Sequence, residues 1–219
     1  MKSIFLAGGG NSEESKLLDA QFAAALDPAK PVVYVPNAMR SRPYQSSLTW
    51  FRSVMDGHGA FAIEMWDDLK PRRAASEIAG VYIGGGDTTK LLIEVRERGF
   101  DAYLHEMASH GIPIYGGSAG AIILGEDIRT TPEALHPSQY DATGLKLVAG
   151  FSIVCHYRPE HEAETRGLSE TLGHNLIAIP EKAGGQVMGK SITSYGTEPI
   201  VIFQEGKVKT VESLGSAVL

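Results

Sequence analysis

The chain has 219 residues and a formal net charge of −6, and this acidic balance argues against binding to nucleic-acid backbones or anionic membranes. Hydrophobic residues make up 43% and charged residues 21%, values typical of a globular protein rather than a disordered one. Glycine is the outlier, because the chain holds 25 glycines where an average usage of about 7% would give about 15.

Short apolar runs that end in glycine or turn residues alternate with segments patterned like helices. We predict strands at 4–7, 31–35, 61–65, 81–83, 112–115, 152–156 and 176–179, and helices at 16–26, 43–55, 102–109, 121–124 and 160–172, with another helix after Asp87. We expect Asn11 or Ser12 to cap the first helix, and Asp87 to cap the helix that follows it. Near-continuous apolar strands between helices are typical of a mainly parallel sheet covered by helices on both faces. The pattern therefore predicts an α/β fold.

The C-terminal segment has a different pattern. Runs at 186–188, 198–203 and 207–211 predict hairpin strands, the last two joined across Glu205 and Gly206. No linker, low-complexity tract or internal repeat interrupts the chain, so we expect a single domain over residues 1–219.

The chain has one cysteine, Cys155, which excludes an internal disulfide framework and a cysteine-cluster metal site. The apolar run at 4–7 reaches glycine too early to form a signal-peptide core. No stretch approaches the roughly 18 apolar residues of a membrane span. We therefore expect a cytoplasmic protein with no metal or other cofactor.

Nine of the glycines lie in three clusters, and each cluster follows a predicted strand. The clusters are Gly8–Gly10, Gly84–Gly86, and Gly116, Gly117 and Gly120. In an open parallel sheet, ligands bind outside the carboxyl ends of the strands, where glycine lets backbone N–H groups approach a substrate. The clusters predict a shared functional edge, and the alternative for any one of them is a tight turn without a ligand.

The third cluster contains the pattern G-x-S-x-G, between an apolar strand and an apolar helix. In that context a strained turn presents the serine oxygen at the top of the sheet, so Ser118 is a candidate nucleophile. The N–H group of Ala119, at the start of the next helix, could stabilise an oxyanion. The alternative is a turn whose serine only caps the helix.

A nucleophilic serine needs a base, and the chain has seven histidines. His156 differs from the others because it ends the strand predicted at 152–156, which we expect on the same edge as Ser118. A buried structural histidine is the competing interpretation, and His136 and His161 are weaker candidates for the base.

An acidic residue would orient the histidine, and Glu133 and Glu181 both follow elements that end near the predicted edge. Position alone does not separate them. His156 and His161 with a nearby glutamate match no spacing of a known metal motif, so we expect no metal site.

Several motifs, taken together and in order, resemble peptidase family S51, the dipeptidase E group that also includes cyanophycinases. The motifs are Gly84–Thr88 with Leu91 and Leu92, Arg96–Gly99, Gly117–Ala121, Ile128–Thr131 before Glu133, His156 with Tyr157, Glu164–Arg166, and Ile179–Glu181. The resemblance implies a three-layer α/β/α fold similar to class I glutamine amidotransferases, with serine in place of their cysteine.

The resemblance also implies roles for individual residues. Ser118 would be the nucleophile and His156 the general base, with the N–H groups of Gly86 and Ala119 forming the oxyanion hole. The substrate would be a short peptide, with an N-terminal Asp in the best-known members.

The third member of the triad is left open by the resemblance. Glu133 is favoured, because it falls where the dipeptidase carries an aspartate, and Glu181 is the alternative. Arg166 matches a family arginine and would hold the substrate carboxylate, although it could equally be a surface residue of an acidic helix. Gly117 stands where the best-known dipeptidases carry a bulky residue.

Two other functions remain open at this point. One is another serine amide or ester hydrolase on the same fold, with a cyanophycinase-like activity as the example. The other is a non-catalytic, flavodoxin-like module whose glycine loops hold an anion, although neither a P-loop nor a dinucleotide-binding fingerprint is present. A homo-oligomer is possible but cannot be derived from the sequence.

Overall fold

The computed structural model describes residues 2–41, 43–134, 140–148 and 150–219, with the side chain of Glu133 also outside the description. The strands are β1 (Ser3–Ala7), β2 (Val32–Val35), β3 (Ile63–Met65), β4 (Gly80–Ile83), β5 (Ile114–Gly117), β6 (Phe151–Cys155), β7 (Asn175–Ile179), β8 (Ala183–Met188), β9 (Ser191–Gly196), β10 (Ile200–Gln204), β11 (Lys207–Val211) and β12 (Ser216–Val218). The helices are α1 (Lys16–Ala24), α2 (Gln45–Asp56), α3 (Thr88–Glu97), α4 (Phe100–Ser109), α5 (Ala119–Ile123) and α6 (Glu162–Leu172).

The larger sheet has eight strands in the order β12-β9-β8-β1-β5-β4-β2-β3. Five neighbouring strands of this sheet are parallel: β1, β5, β4, β2 and β3. Strands β8, β9 and β12 extend the sheet beyond β1 with antiparallel pairing. Ala7 is in register with Gly117, and Gly116 is in register with Ile83. The carboxyl ends of β1, β5 and β4 are therefore level, and the three glycine clusters follow at one edge of the sheet.

Alternate residues of the parallel strands point to opposite faces, and each face is covered by helices. Ile4 and Leu6 join a buried cluster with residues of α3, α4 and α5, whereas Phe5 packs with residues of α1 and α2. Phe5, Phe22 and Tyr115 form close aromatic pairs on the second face. These layers confirm the prediction of an α/β fold with a large, mainly parallel sheet and helices on both sides.

A second sheet of four strands, in the order β11-β10-β7-β6, is separate from the first. Strands β6 and β7 are parallel, and β10 and β11 complete it by antiparallel pairing. Ile153 and Ile177 of this sheet belong to the same buried cluster as Ile122 of α5. The predicted hairpin across Glu205 and Gly206 is confirmed, because Gln204 pairs with Lys207.

The sequence missed strands β9 and β12. In β9, buried and more exposed residues alternate as expected for a strand. Two of its buried positions hold Ser194 and Gly196, so the sequence shows no alternation of hydrophobic residues there. The predicted cap at Asp87 is confirmed by its carboxylate, which accepts a 2.9 Å hydrogen bond from the Lys90 amide. Asn11 instead caps a turn before α1, where its side chain accepts hydrogen bonds from the amides of residues 13 and 14. Within the described ranges, no helix is long and apolar enough to cross a membrane.

Candidate active site

Ser118 lies in the sharp turn between β5 and α5. Its backbone has φ 48° and ψ −110°, and a positive φ is uncommon for a residue other than glycine. A Cβ on Gly116 would lie 2.5 Å from the Ala121 amide nitrogen, and a Cβ on Gly120 would lie 2.3 Å from the Ile83 carbonyl oxygen. Larger residues at either position would push α5 away from the sheet. The glycines therefore allow the turn that holds the Ser118 hydroxyl at the carboxyl ends of the parallel strands.

A chain of hydrogen bonds leads from Ser118 through His156 to Glu181. Ser118 Oγ lies 2.9 Å from His156 Nε2, and His156 Nδ1 lies 3.0 Å from Glu181 Oε1. A neutral imidazole whose Nδ1–H donates to a carboxylate has an unprotonated Nε2, which can accept a proton from the serine. The side chains of His156 and Glu181 are 49% and 50% exposed, so this chain of hydrogen bonds borders the solvent.

His156 reaches the serine from the second sheet. It follows β6 with φ 55°, and its amide donates a 3.0 Å hydrogen bond to the Gly8 carbonyl oxygen. That bond joins the end of β6 to the end of β1. The expectation that His156 and Ser118 share one sheet edge is wrong, because two different sheets meet here and bring the side chains together.

The glycine loop Gly8–Gly10 packs against the segments that carry His156 and Glu181. A Cβ would lie 1.9 Å from the Pro180 carbonyl oxygen if placed on Gly8, 2.3 Å from His156 Cε1 if placed on Gly9, and 2.3 Å from the Glu181 carbonyl oxygen if placed on Gly10. Real Cβ atoms essentially never approach other atoms so closely. The loop therefore lets the histidine ring and the glutamate segment approach β1.

We expect Gly9→Ala to lower kcat/KM by about 100-fold, because a misplacement of about 1 Å at a reacting group has an effect of that size. The new methyl group would displace the His156 ring, and the φ of 111° would add backbone strain. Peptidase assays on the purified variant, with its melting temperature, are the measurement.

Gly173→Ala is the matched control for this variant. Gly173 also has a positive φ, 67°, but no described atom lies within 4 Å of an added Cβ. This control should lose about 1 kcal/mol of stability and keep its activity. Equal activity losses in the two variants would contradict the role given to Gly9.

Gly86 and Ala119 lie on either side of the Ser118 turn. In the part of the chain that is described, neither of their N–H groups has a hydrogen-bond acceptor. Gly86 has φ 143°, and a Cβ there would lie 2.2 Å from the Ala38 carbonyl oxygen, so the position requires glycine. Gly86 and Ser118 line the same cavity. Gly86 therefore lines the cavity beside the serine, and Ala119 directly follows the serine in the chain.

Ser118 lies between two cavities. The aromatic cavity, of about 370 Å³, is lined by Tyr34, Trp50, Tyr82 and Tyr115, with Ser15, Ser46 and Ser47 among its polar residues. The threonine cavity, of about 480 Å³, is lined by Thr88, Thr130 and Thr131, with His156, His161 and Glu164. Among the described residues, no lysine or arginine lines either cavity.

Arg166 does not lie beside the serine. Its guanidinium donates hydrogen bonds to the Glu162 carboxylate and to the Gly206 carbonyl oxygen, over 3.1 and 3.2 Å. It lines a separate depression between α6 and the turn from β10 to β11. Its own helix therefore holds Arg166 at the surface, and its predicted contact with a substrate carboxylate stays a prediction.

Two other residues named from the sequence cannot be placed at the site. The side chain of Glu133 and the whole of His136 lie outside the described residues. The preference for Glu133 as the acidic partner of His156 therefore stays a prediction, whereas Glu181 is placed in contact with the imidazole.

Cys155 lies close to the serine but does not offer a second nucleophile. Its Sγ is 3.6 Å from the Ser118 carbonyl oxygen, and burial raises the pKa of the thiol to about 12. A thiol with so high a pKa is protonated at neutral pH and reacts poorly. Where side chains are described, no group of three or more His, Cys, Asp or Glu residues could hold a metal ion.

Comparison with protein families identifies the class of this protein. Residues 4–208 match the model of peptidase family S51. The chain therefore belongs to peptidase family S51 and is a hydrolase of the peptidase class, which confirms the resemblance found in its motifs.

Two relatives are described as Peptidase E. The protein from Shewanella amazonensis is 28% identical over 200 residues, which cover 86% of this chain and 84% of the relative. The protein from Shewanella putrefaciens is 31% identical over 203 residues, with the same coverage of 86% and 84%.

A solved structure supports the fold. The crystal structure of a peptidase from an acI-B1 Actinobacterium matches with a TM-score of 0.78, and the match covers 100% of this chain and 97% of that chain. The sequence identity is 16%, so this likeness concerns the fold alone.

Proposed function

We propose that this protein is a serine peptidase that hydrolyses short peptides through Ser118, His156 and Glu181. The observation that carries the proposal is the hydrogen-bonded chain from Ser118 Oγ to His156 Nε2 and from His156 Nδ1 to Glu181 Oε1, over 2.9 and 3.0 Å. Nucleophile, base and orienting carboxylate are recognised by this geometry rather than by their order in a sequence. Family membership adds that the reaction is peptide hydrolysis.

In the proposed reaction, His156 Nε2 takes the proton of Ser118 as Oγ attacks the peptide carbonyl. The tetrahedral oxyanion accepts hydrogen bonds from the N–H groups of Gly86 and Ala119, and one such donor contributes about 2.7–4 kcal/mol of transition-state stabilisation. The imidazolium then protonates the leaving amine, and an acyl-enzyme on Ser118 remains. His156 activates a water molecule that hydrolyses the ester and restores the free serine.

Glu181 takes the orienting role in this proposal. Its side chain is half exposed, so an ion pair with a protonated His156 contributes little to folding stability. Its contact with Nδ1 instead fixes the imidazole tautomer that leaves Nε2 free to accept a proton. A non-catalytic, anion-binding module would not need this hydrogen-bonded arrangement, whereas peptide hydrolysis uses Ser118, His156 and Glu181 in turn.

The finer expectation, a dipeptidase that prefers an N-terminal Asp, needs a cation near Ser118. Among the described residues, no lysine or arginine lines either cavity, and Glu164 in the threonine cavity would repel a carboxylate. We therefore propose dipeptides and other short peptides as substrates, without a requirement for aspartate.

A dipeptide panel tests this proposal. We expect hydrolysis of several Xaa-Ala dipeptides, with Asp-Ala cleaved no faster than its neutral isostere Asn-Ala, as measured by the release of free alanine. An advantage of about tenfold or more for Asp-Ala, equivalent to about 1.4 kcal/mol, would restore the aspartyl preference. The absence of hydrolysis for dipeptides and for longer peptides would contradict the proposed function itself.

A further inference from the structure

The aromatic cavity has the features of a binding site for a side chain of the substrate. It opens beside Ser118 and measures about 370 Å³. Met39 and Trp50, which line it, are 40% and 41% exposed and are among the most exposed large hydrophobic residues described. Apolar side chains held open to solvent at the mouth of a cavity indicate a contact surface for a ligand. The remaining question is the chemistry of that ligand.

Three hydroxyl groups of this cavity donate their protons to neighbouring protein atoms. Ser15 Oγ and the Tyr115 hydroxyl both donate 2.7 Å hydrogen bonds to the Asp19 carboxylate, and Ser47 Oγ donates to a backbone carbonyl oxygen over 2.7 Å. A hydroxyl has a single proton, so each of these oxygens retains only its capacity to accept. Such a lining favours a ligand group that donates hydrogen bonds.

Asp19 lies behind the cavity wall, where its carboxylate accepts hydrogen bonds from the lining residues Ser15 and Tyr115. The residue is 2% exposed, and burial raises the pKa of its carboxyl while the hydrogen bonds from Tyr115 and Ser15 oppose that rise. Burial, and secondly the charge of Asp19, raise the pKa of Tyr82 and of Tyr115 well above the usual value for tyrosine. The tyrosines therefore stay neutral, and the hydrogen bonds that both oxygens of Asp19 accept favour its ionised form.

The aromatic rings add to this preference. Tyr82 packs between Tyr115 and Phe51, with centroids 4.4 and 4.3 Å apart, so its faces are covered. The Trp50 ring, edge-on to Tyr82 at 6.5 Å, is 41% exposed and is the ring that a ligand can reach. The face of an aromatic ring attracts a guanidinium or ammonium group. Glu14 lies beside Gly10, which lines the cavity, and its carboxylate accepts a 2.9 Å hydrogen bond from the Asn11 amide.

We propose that the aromatic cavity binds the cationic side chain of an arginine or lysine residue in the substrate, and that Asp19 determines this preference through Ser15 and Tyr115. The inference rests on the proposed peptidase function and names the class of its substrates. A guanidinium has only hydrogen-bond donors, so it matches hydroxyls that can only accept. Its stem fills the apolar part of the cavity, as long cationic side chains do elsewhere in proteins.

The test compares arginine with citrulline, its neutral isostere, in four dipeptides: Arg-Ala, Cit-Ala, Ala-Arg and Ala-Cit. All four carry the same N-terminal ammonium, so the ratio of their rates isolates the side-chain charge. We expect arginine to exceed citrulline in kcat/KM by about tenfold or more in one of the two positions, as a desolvated cation over aromatic rings allows. Equal and measurable rates for arginine and citrulline in both positions would overturn the inference.

Asp19→Asn keeps the shape of the side chain and removes its charge. We expect it to bring the arginine-to-citrulline ratio in kcat/KM close to one. Asp101→Asn makes the same change on α4, away from the cavity, and should leave the ratio unaltered. We expect Trp50→Ala to lower the arginine-to-citrulline ratio, because it removes an aromatic ring from the cavity and leaves the buried Asp19 in place. If Asp19→Asn does not fold, Trp50→Ala tests the proposed cation preference instead. An unchanged ratio in folded Asp19→Asn would overturn the role of Asp19.

Labelling of Ser118 with a fluorophosphonate separates this inference from the function on which it rests. If the serine is labelled but no dipeptide is cleaved, protection from labelling replaces turnover as the measurement. Protection by an arginine dipeptide and not by its citrulline counterpart supports the inference, and equal protection overturns it. A serine that no fluorophosphonate labels would overturn the proposed function and the inference together.

Discussion

Ser118→Ala should lower kcat/KM by at least about 10⁴-fold, since removal of the nucleophile of a hydrolytic triad has an effect of this order or larger. The substitution removes Oγ and with it the 2.9 Å contact to His156 Nε2, but it keeps the Cβ and the shape of the turn. The variant should therefore fold with a melting temperature near that of the wild type. A fluorophosphonate should label the wild-type protein once, at Ser118, and should not label the variant.

Ser109→Ala is the matched control for the loss of a serine hydroxyl. Ser109 is exposed at the end of α4, where its Oγ donates a 2.7 Å hydrogen bond to the Glu106 carbonyl oxygen. Its removal should leave both labelling and peptide hydrolysis unaltered. Labelling that persists in Ser118→Ala, mapped to another serine, would show that Ser118 is not the nucleophile. Cys155 cannot replace it, because burial raises the pKa of that thiol to about 12.

The turn around Ser118 could be predicted because its causes are local. Gly116 is required by contacts with Gly120 and Ala121 in the turn and helix that follow it, so a short pattern in the sequence records it, whereas Gly120 is required by Ile83 of the neighbouring strand β4. The cap at Asp87 is local for the same reason, since its carboxylate binds an amide three residues away. The parallel strands can also be predicted from the sequence, because both of their faces are buried and each strand is therefore a continuous run of apolar residues.

The position of His156 has causes that are distant in sequence. Its strand, β6, pairs with β7 at the edge of a second sheet, and the bond from the His156 amide to Gly8 joins it to the end of β1. Periodicity predicts a strand but gives no information about the sheet to which the strand belongs. The role of Gly9 was missed for the same reason, because the atom that a side chain would strike belongs to a residue far along the chain.

The sequence contains a repeated tyrosine pattern that indicates the aromatic cavity. Three parallel strands carry an apolar–Tyr–apolar or apolar–Tyr–Gly triplet, and the structure aligns Tyr34 with Tyr82 and Tyr82 with Tyr115 across neighbouring strands. A tyrosine repeated at one register, in strands that are otherwise aliphatic, indicates a row of rings with a polar edge. The motif match at Arg166 could not show that its guanidinium is held by Glu162 on the same helix.

Glu181→Gln should lower kcat by about 10³- to 10⁴-fold with little change in KM, as expected when the residue that fixes the histidine tautomer loses its charge. A glutamine amide can donate to His156 Nδ1, which would leave the proton on Nε2. An Nε2 that carries a proton cannot accept one from Ser118. Steady-state kinetics on one well-cleaved dipeptide, with melting temperatures for both proteins, are the measurement.

Glu133→Gln is the companion variant, because Glu133 is the acidic residue that the motif resemblance favours. His156 Nδ1 already lies 3.0 Å from Glu181 Oε1, so a second carboxylate is not needed to fix the tautomer. We therefore expect kcat of Glu133→Gln to stay close to the wild-type value. A larger loss in Glu133→Gln than in Glu181→Gln would return the orienting role to Glu133. Equally small losses in both would mean that neither carboxylate orients the histidine, and that the imidazole is held by the glycine loop and the backbone of β6.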